Sequence, residues 1–253
     1  MRVDRPTDPA DIPSPPPHLV FVGDGDFRAI GEEFLRYFVE WGGLERHHRV
    51  LDVGCGIGRM AVPLTRYLAP STTYDGFDIV PHGIDWCRQE ISPRFPNFRF
   101  QLVDVRNASY YPQGRQEAAR YTFPYADRSF DFVFLTSVFT HMGPAEVESY
   151  VREIARVLKP DGRTFMTFFL LNPESVNMIG AGRSSLDFRH EIGACRTIDR
   201  DVPERAIAHP ESRVREILAA SRLEVVEPLR YGVWCGRRGP MSYQDVVVAR
   251  IAS

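Results

Sequence analysis

The run Asp52-Val53-Gly54-Cys55-Gly56-Ile57-Gly58-Arg59 sets three glycines at alternate positions behind a carboxylate. Glycine reaches positive φ and lets a ligand come close to the backbone. Free N–H groups where a helix begins favour an anion. Two kinds of ligand suit such a turn. Gly56-Ile57-Gly58-Arg59-Met60-Ala61 fits the dinucleotide pattern G-x-G-x-x-G/A, which holds a pyrophosphate. Asp52, two residues before Gly54, suits a pyrophosphate poorly and an ammonium-bearing ligand well. Among the histidines, His141 and His190 are the candidates for proton transfer. A free imidazole titrates near about 6.5, and a positioned base typically contributes ~10²–10⁴-fold to a rate. His190 lies in a charged run, Ser184-Ser185-Leu186-Asp187-Phe188-Arg189-His190-Glu191. His18, His47, His48, His82 and His209 read as solvent or turn residues and receive no role.

A glycine turn of this kind works only between a strand and a helix. The sequence supplies both: 48–53 reads as a short buried strand and 61–68 as the next helix. Before them, Phe27, Ile30, Phe34, Phe38 and Trp41 recur at helical spacing. Further strands are expected at 74–78, 98–103, 130–135 and 164–171, with helices at 84–91 and 147–158. The second of these helices stops at Lys159-Pro160-Asp161-Gly162, a cation followed by breakers. Alternation of this kind predicts a parallel sheet covered on both faces. A polar stretch follows at about 172–210, a length usual for a lid or binding insertion. The chain closes with a helix at 214–220 and strands at 223–226 and 245–251. Six prolines within the first 17 residues make an extended arm, taken as 1–25, leaving 26–253 as one domain.

The run from Asp52 to Gly58 resembles motif I of the class I S-adenosylmethionine-dependent methyltransferases. The likeness continues in order. Gly76-Phe77-Asp78-Ile79 is similar to the end of that family's second strand, and Val103-Asp104-Val105 to the acidic site after the third. Ser137-Val138-Phe139-Thr140-His141-Met142 resembles the segment after strand four, and Arg156-Val157-Leu158-Lys159-Pro160-Asp161-Gly162 the approach to strand five. The resemblance implies a Rossmann-like class I methyltransferase fold: α/β, with a seven-stranded, mostly parallel sheet, helices on both faces and the last strand antiparallel. It implies S-adenosylmethionine as cofactor, held by Asp52, Gly54, Cys55, Gly56, Gly58, Asp78, Ile79, Asp104, Val105 and Thr136. Asp78 takes the ribose hydroxyls and Asp104 the adenine amino group. His141, which follows strand four on the methyl side, is then the first candidate base, with His190 second. Phe27, Tyr110, Tyr111 and Trp234 could wall an acceptor pocket. The acidic and amide cluster of the family's metal-dependent branch has no match, so no metal is expected.

Composition narrows the partners. Lys plus Arg is 31 against 33 Asp plus Glu, a net charge of −2, which argues against a nucleic-acid substrate. Apolar residues at 43% include no stretch long enough for a membrane span. Four scattered cysteines suggest a reducing, cytoplasmic setting. The expected activity is methyl transfer to a small molecule, most simply to a hydroxyl oxygen. Two rivals stand beside it. A nicotinamide-dependent oxidoreductase needs a pair such as Tyr–Lys, yet Lys159 is the only lysine. A non-catalytic binding module would keep the fold without turnover. The oligomeric state is left open.

Overall fold

Val50–Val53 (β1) is buried along its whole length, as an apolar run between two helical layers must be. In this computed structural model, which describes residues 12–23, 25–239 and 242–252, β1 lies inside a seven-stranded sheet. The other strands are β2 (Tyr74–Asp78), β3 (Phe98–Leu102), β4 (Phe130–Leu135), β5 (Leu158–Phe168), β6 (Leu223–Val225) and β7 (Asp245–Ile251). Their order is β6-β7-β5-β4-β1-β2-β3, with β7 antiparallel to both neighbours and the rest parallel. The order reverses between β1 and β4, so a crevice opens beyond the carboxyl ends of these strands.

Helices cover both faces. α1 (Phe27–Glu40), α2 (Ala61–Tyr67) and α3 (Pro81–Glu90) pack on one side around Phe38, Leu64, Ile84 and Phe132. α1 starts at Asp26, whose Oδ1 accepts from the Ala29 amide at 2.6 Å. On the other face lie α4 (Pro144–Val157) and, after α5 (Pro173–Gly180), α6 (Glu211–Ala220). Val147, Val151 and Ile154 of α4 and Val214 and Leu218 of α6 share a second core with Leu51 and Val133. The three-and-four spacing along α4 puts its apolar residues on one stripe. No described helix is long and apolar enough to cross a membrane.

Three expectations change. First, β5 begins at Leu158 instead of 164, with Lys159-Pro160-Asp161-Gly162 inside its start. Lys159 Nζ binds both carboxylate oxygens of Asp131 at 2.8 Å, which ties that start to β4. Second, the stretch 172–210 is not irregular. It holds α5 and most of a four-stranded sheet made of Leu170–Leu171, Ile207–Pro210, Cys195–Thr197 and His190–Ile192 in that order. Phe169, Phe188, Ala208 and Trp234 form its own apolar core. Third, the proline-rich segment does not stand apart over 12–23. Ile12 is buried in the first core, and Phe21 and Val22 pack on it. Residues 1–11, including Pro6 and Pro9, lie outside the described residues.

His209, read from sequence as a solvent or turn residue, is only 2% exposed. Its Nε2 donates to the Phe139 carbonyl at 3.1 Å and its Nδ1 lies 3.4 Å from Cys195 Sγ. Burial lowers its pKa to about 4. Below about 6.5 the unfolded chain takes a proton at this histidine, while the folded chain keeps it neutral until about pH 4. The stabilisation is therefore complete above about pH 6.5 and is lost as pH falls toward 4, by about 3 kcal/mol. His209→Gln, which keeps a donor for the Phe139 carbonyl, should flatten the fall of the urea midpoint between these limits. A fall of the same size in the variant would assign it to another group.

Candidate active site

The crevice beyond β1, β2 and β4 is a cavity of ≈ 670 Å³. The glycine turn forms one wall. Gly54, Gly56 and Gly58 have φ of 80°, 55° and 77°, which side-chain-bearing residues rarely adopt. A Cβ on Gly56 would stand 2.6 Å from Val22 Cγ1, so the 12–23 segment closes over a bare backbone. Four of the turn's amides are taken inside the protein. Gly54 and Cys55 donate to the Phe77 carbonyl, Gly58 to the Cys55 carbonyl, and Gly56 to Asp78 Oδ2 at 2.7 Å. The expectation of free amides for an anion therefore fails at these positions.

Asp78 ends β2 on the cavity wall. Its Oδ1 also accepts from the Val80 amide at 2.8 Å. Burial pushes its pKa up against these two amides, which pull it down. Each oxygen keeps a lone pair for a hydroxyl. Ile79, Val105 and Ala118 give an apolar slot beside it, and Thr136 lines the cavity at the end of β4.

Three expected cofactor residues are not on this wall. Asp52 shares the face of β1 that packs on the first core, because strand side chains alternate. Its Oδ2 accepts from the Tyr74 hydroxyl at 2.5 Å, while Oδ1 has no partner among the described residues. Burial raises its pKa to about 8, so the group is largely neutral at pH 7 and is no counter-charge for an ammonium. Gly58 packs against α3 instead, where a Cβ would meet Cys87 Sγ at 2.9 Å. Asp104 pairs with the Arg115 guanidinium and accepts from the Arg115 amide at 3.1 Å. That pair exists because Val105–Arg106 forms a two-residue ladder with Gln116–Glu117, which returns Arg115 to Asp104.

The two candidate bases are separated. His141 lies on the cavity wall and His190 in the small sheet, away from it. His141 Nδ1 donates to the Glu204 carbonyl at 2.8 Å. This fixes the tautomer, so Nε2 carries the lone pair and accepts from the Tyr110 hydroxyl at 3.3 Å. Burial lowers the His141 pKa, which keeps the imidazole neutral at pH 7. No side chain from 172–210 lines the cavity; the segment acts through the Glu204 carbonyl. The roof comes from elsewhere: Phe21 to Gly23, Ile30 and Phe34 of α1, and Ser242 to Gln244. Of the four aromatics expected, Tyr110 lines the cavity; Trp234 is buried in the small core, and Phe27 packs on Trp86. Tyr111 is not on the wall either. Sequence reading missed Glu146 and Tyr150, cavity residues of α4 that sit within a stripe otherwise devoted to core.

Residues 51–166 match the protein family described as "Methyltransferase domain". The methyltransferase GfsG of Streptomyces halstedii is 30% identical over 135 residues, 53% of this chain and 42% of that protein. The fatty-acid O-methyltransferase of Mycolicibacterium smegmatis is 33% identical over 114 residues, 45% of this chain and 34% of that protein. The chain thus matches less than half the length of either relative. Among solved structures, the PH0226 protein of Pyrococcus horikoshii superposes with a TM-score of 0.62 at 19% identity, over 93% of this chain and 95% of that one. That likeness extends the fold beyond the matched family segment to both ends of the sheet. The donor set also fits the ligand: a carboxylate for ribose, an apolar slot for a flat base, and a bare turn for a narrow chain. Residues 51–166 thus match a methyltransferase domain, the chain has the class I methyltransferase fold, and S-adenosylmethionine is the cofactor that suits its cavity.

Proposed function

We propose that this protein methylates a hydroxyl oxygen of a small molecule, with His141 as the base. The observation that carries this reading is the His141 imidazole: half-buried, neutral, locked by the Glu204 carbonyl at Nδ1 and presenting Nε2 to the cavity. When bound, S-adenosylmethionine supplies an electrophilic methyl group on sulfur. The protein must align the acceptor with that methyl and exclude water. A hydroxyl must also lose its proton, and Nε2 is the atom to take it. The Tyr110 hydroxyl now occupies Nε2 through a long bond that an acceptor hydroxyl can replace. Gly54, Cys55 and Gly56 would hold the methionyl end, Asp78 the ribose, Ile79 and Val105 the adenine, and Thr136 the methyl side. The O-methyltransferase among the relatives supports oxygen as the acceptor atom. All four cysteines are free and buried, and on that observation we place the enzyme in the cytoplasm.

A cofactor carrying a ¹³C methyl group tests the reading against a panel of hydroxy acids, phenols and sugars. The carbon shift of the product tells whether the methyl sits on oxygen, nitrogen or carbon. A product methylated on nitrogen or carbon alone removes the need for His141 as a base. Absence of turnover with cofactor bound, whatever the acceptor class, favours the binding-module alternative.

Asp78→Ala should weaken S-adenosylhomocysteine binding at least ~10-fold, because each charge-assisted hydrogen bond lost is worth about 1.5–3 kcal/mol. The same change frees the Gly56 and Val80 amides, so thermal stability should fall as well. Titration calorimetry reads the first effect and a melting curve the second. An unchanged dissociation constant would move the ribose contact off Asp78.

A further inference from the structure

The cavity wall carries a cation without an acid. Arg59 follows the last glycine of the turn and is only 6% exposed. Its Nη2 donates to the Gly23 carbonyl at 2.8 Å, and its Cζ lies 5.8 Å from the centre of the Phe27 ring. Nε has no partner among the described residues. Burial lowers the pKa of this guanidinium, and no described carboxylate acts to raise it. A buried, charged donor left without an acceptor costs free energy unless something else fills the place. Of the nearby backbone, the Gly54, Cys55, Gly56 and Gly58 amides are already bonded inside the protein and do not serve an anion.

We propose that Arg59 is a cofactor-binding residue that takes the α-carboxylate of S-adenosylmethionine, with the Gly23 carbonyl holding the guanidinium in place. The assignment rests on reading the cavity as the cofactor site. The carboxylate is the one anionic group this cofactor carries, and a guanidinium offers it a permanently charged fork of donors. The geometry also joins two parts of the wall. Arg59 links the glycine turn to the 12–23 segment, whose Phe21 and Val22 lie over Gly83 and Gly56. A carboxylate seated on Arg59 would therefore meet both the turn and the segment that covers it.

Two ligands separate this role from a structural one. S-Adenosylhomocysteine carries the carboxylate; its decarboxylated analogue keeps the nucleoside, thioether and amine. Calorimetry on the full chain should show the wild type binding the first at least ~10-fold more tightly than the second. Arg59→Met keeps an unbranched stem over Phe27 and should bind both ligands alike, at the level of the wild type with the decarboxylated one. Arg59→Lys keeps the charge without the fork and should recover part of the difference. Retained affinity for the decarboxylated ligand shows that each variant is folded. A wild type that does not distinguish the ligands, or an Arg59→Met chain that weakens both by one factor, overturns the assignment and leaves the cofactor site standing. A wild type that binds neither ligand removes the cofactor reading itself.

Discussion

Replacing His141 with alanine should lower turnover by ~10²-fold or more while changing the dissociation constant of S-adenosylhomocysteine little. The split follows from position. His141 lies on the cavity wall at the end of a short turn after β4, and its ring bonds go to Glu204 and Tyr110, not to Asp78 or the apolar residues beside it. The pH profile gives the second readout. The imidazole must be neutral to accept a proton, and burial holds its pKa below the usual histidine value. Activity should therefore persist below pH 6.5 and fall only at lower pH, as Nε2 becomes protonated. In His141→Ala that acidic limb should vanish from the residual rate. If it persists unchanged, the proton leaves by another route. A marked loss of cofactor affinity would instead make His141 a shaper of the pocket.

The largest effect on stability is expected at Asp245, the first residue of β7. It is fully buried and accepts from the Leu170 and Gly232 amides and from Trp234 Nε1, each at 2.7 Å. Arg237 Nη1 stands 3.1 Å from it, and Arg237 Nε binds Glu174 at 2.7 Å. One carboxylate thus fixes the small sheet, the 229–239 segment and α5 to the main sheet. Asp245→Ala leaves three donors and a buried guanidinium without their acceptor, a change of about 3–5 kcal/mol. Urea unfolding should show that loss, with Asp245→Asn recovering part of it. A loss below about 1 kcal/mol would mean water fills the place of the carboxylate. Because Ser242, Tyr243 and Gln244 line the cavity just before Asp245, Asp245→Ala should also weaken cofactor binding.

The main sheet was readable because its strands are apolar runs between strong breakers. Residues 74–78, 130–135 and 245–251 fall as expected, and the antiparallel last strand follows from the family resemblance. The small sheet was not readable. His190–Ile192 and Cys195–Thr197 are three residues each, too short for alternation to register, and the core of the small sheet is made mostly by Phe169, Phe188 and Trp234 elsewhere in the chain. Asp78 and most of the glycine turn lie on the cavity wall because their spacing is local. Asp104 lies off it, because its partner Arg115 arrives through a ladder that no periodicity marks. Arg59 escaped notice for a different reason. As a residue type it reads as an ordinary surface cation, and it is the 12–23 segment and Phe27 of α1 that lie against it in the fold.

The roof of the cavity joins residues 21–23 to residues 242–244, while the turn and β2 that it covers come early in the chain. A ribosome therefore delivers the floor of the site well before its cover. At about 5–20 residues per second, the stretch from the end of β4 to Gln244 takes on the order of 5–20 s to emerge. Through that interval the nascent chain has the glycine turn and Asp78 but lacks the C-terminal cover and the strand that anchors it. A chain stalled in β5 should thus bind the nucleoside half of the cofactor weakly and exchange it fast. Stalled ribosome complexes of increasing length, titrated with a fluorescent adenosine analogue, should show retention rising in one step when residues 242–252 clear the exit tunnel.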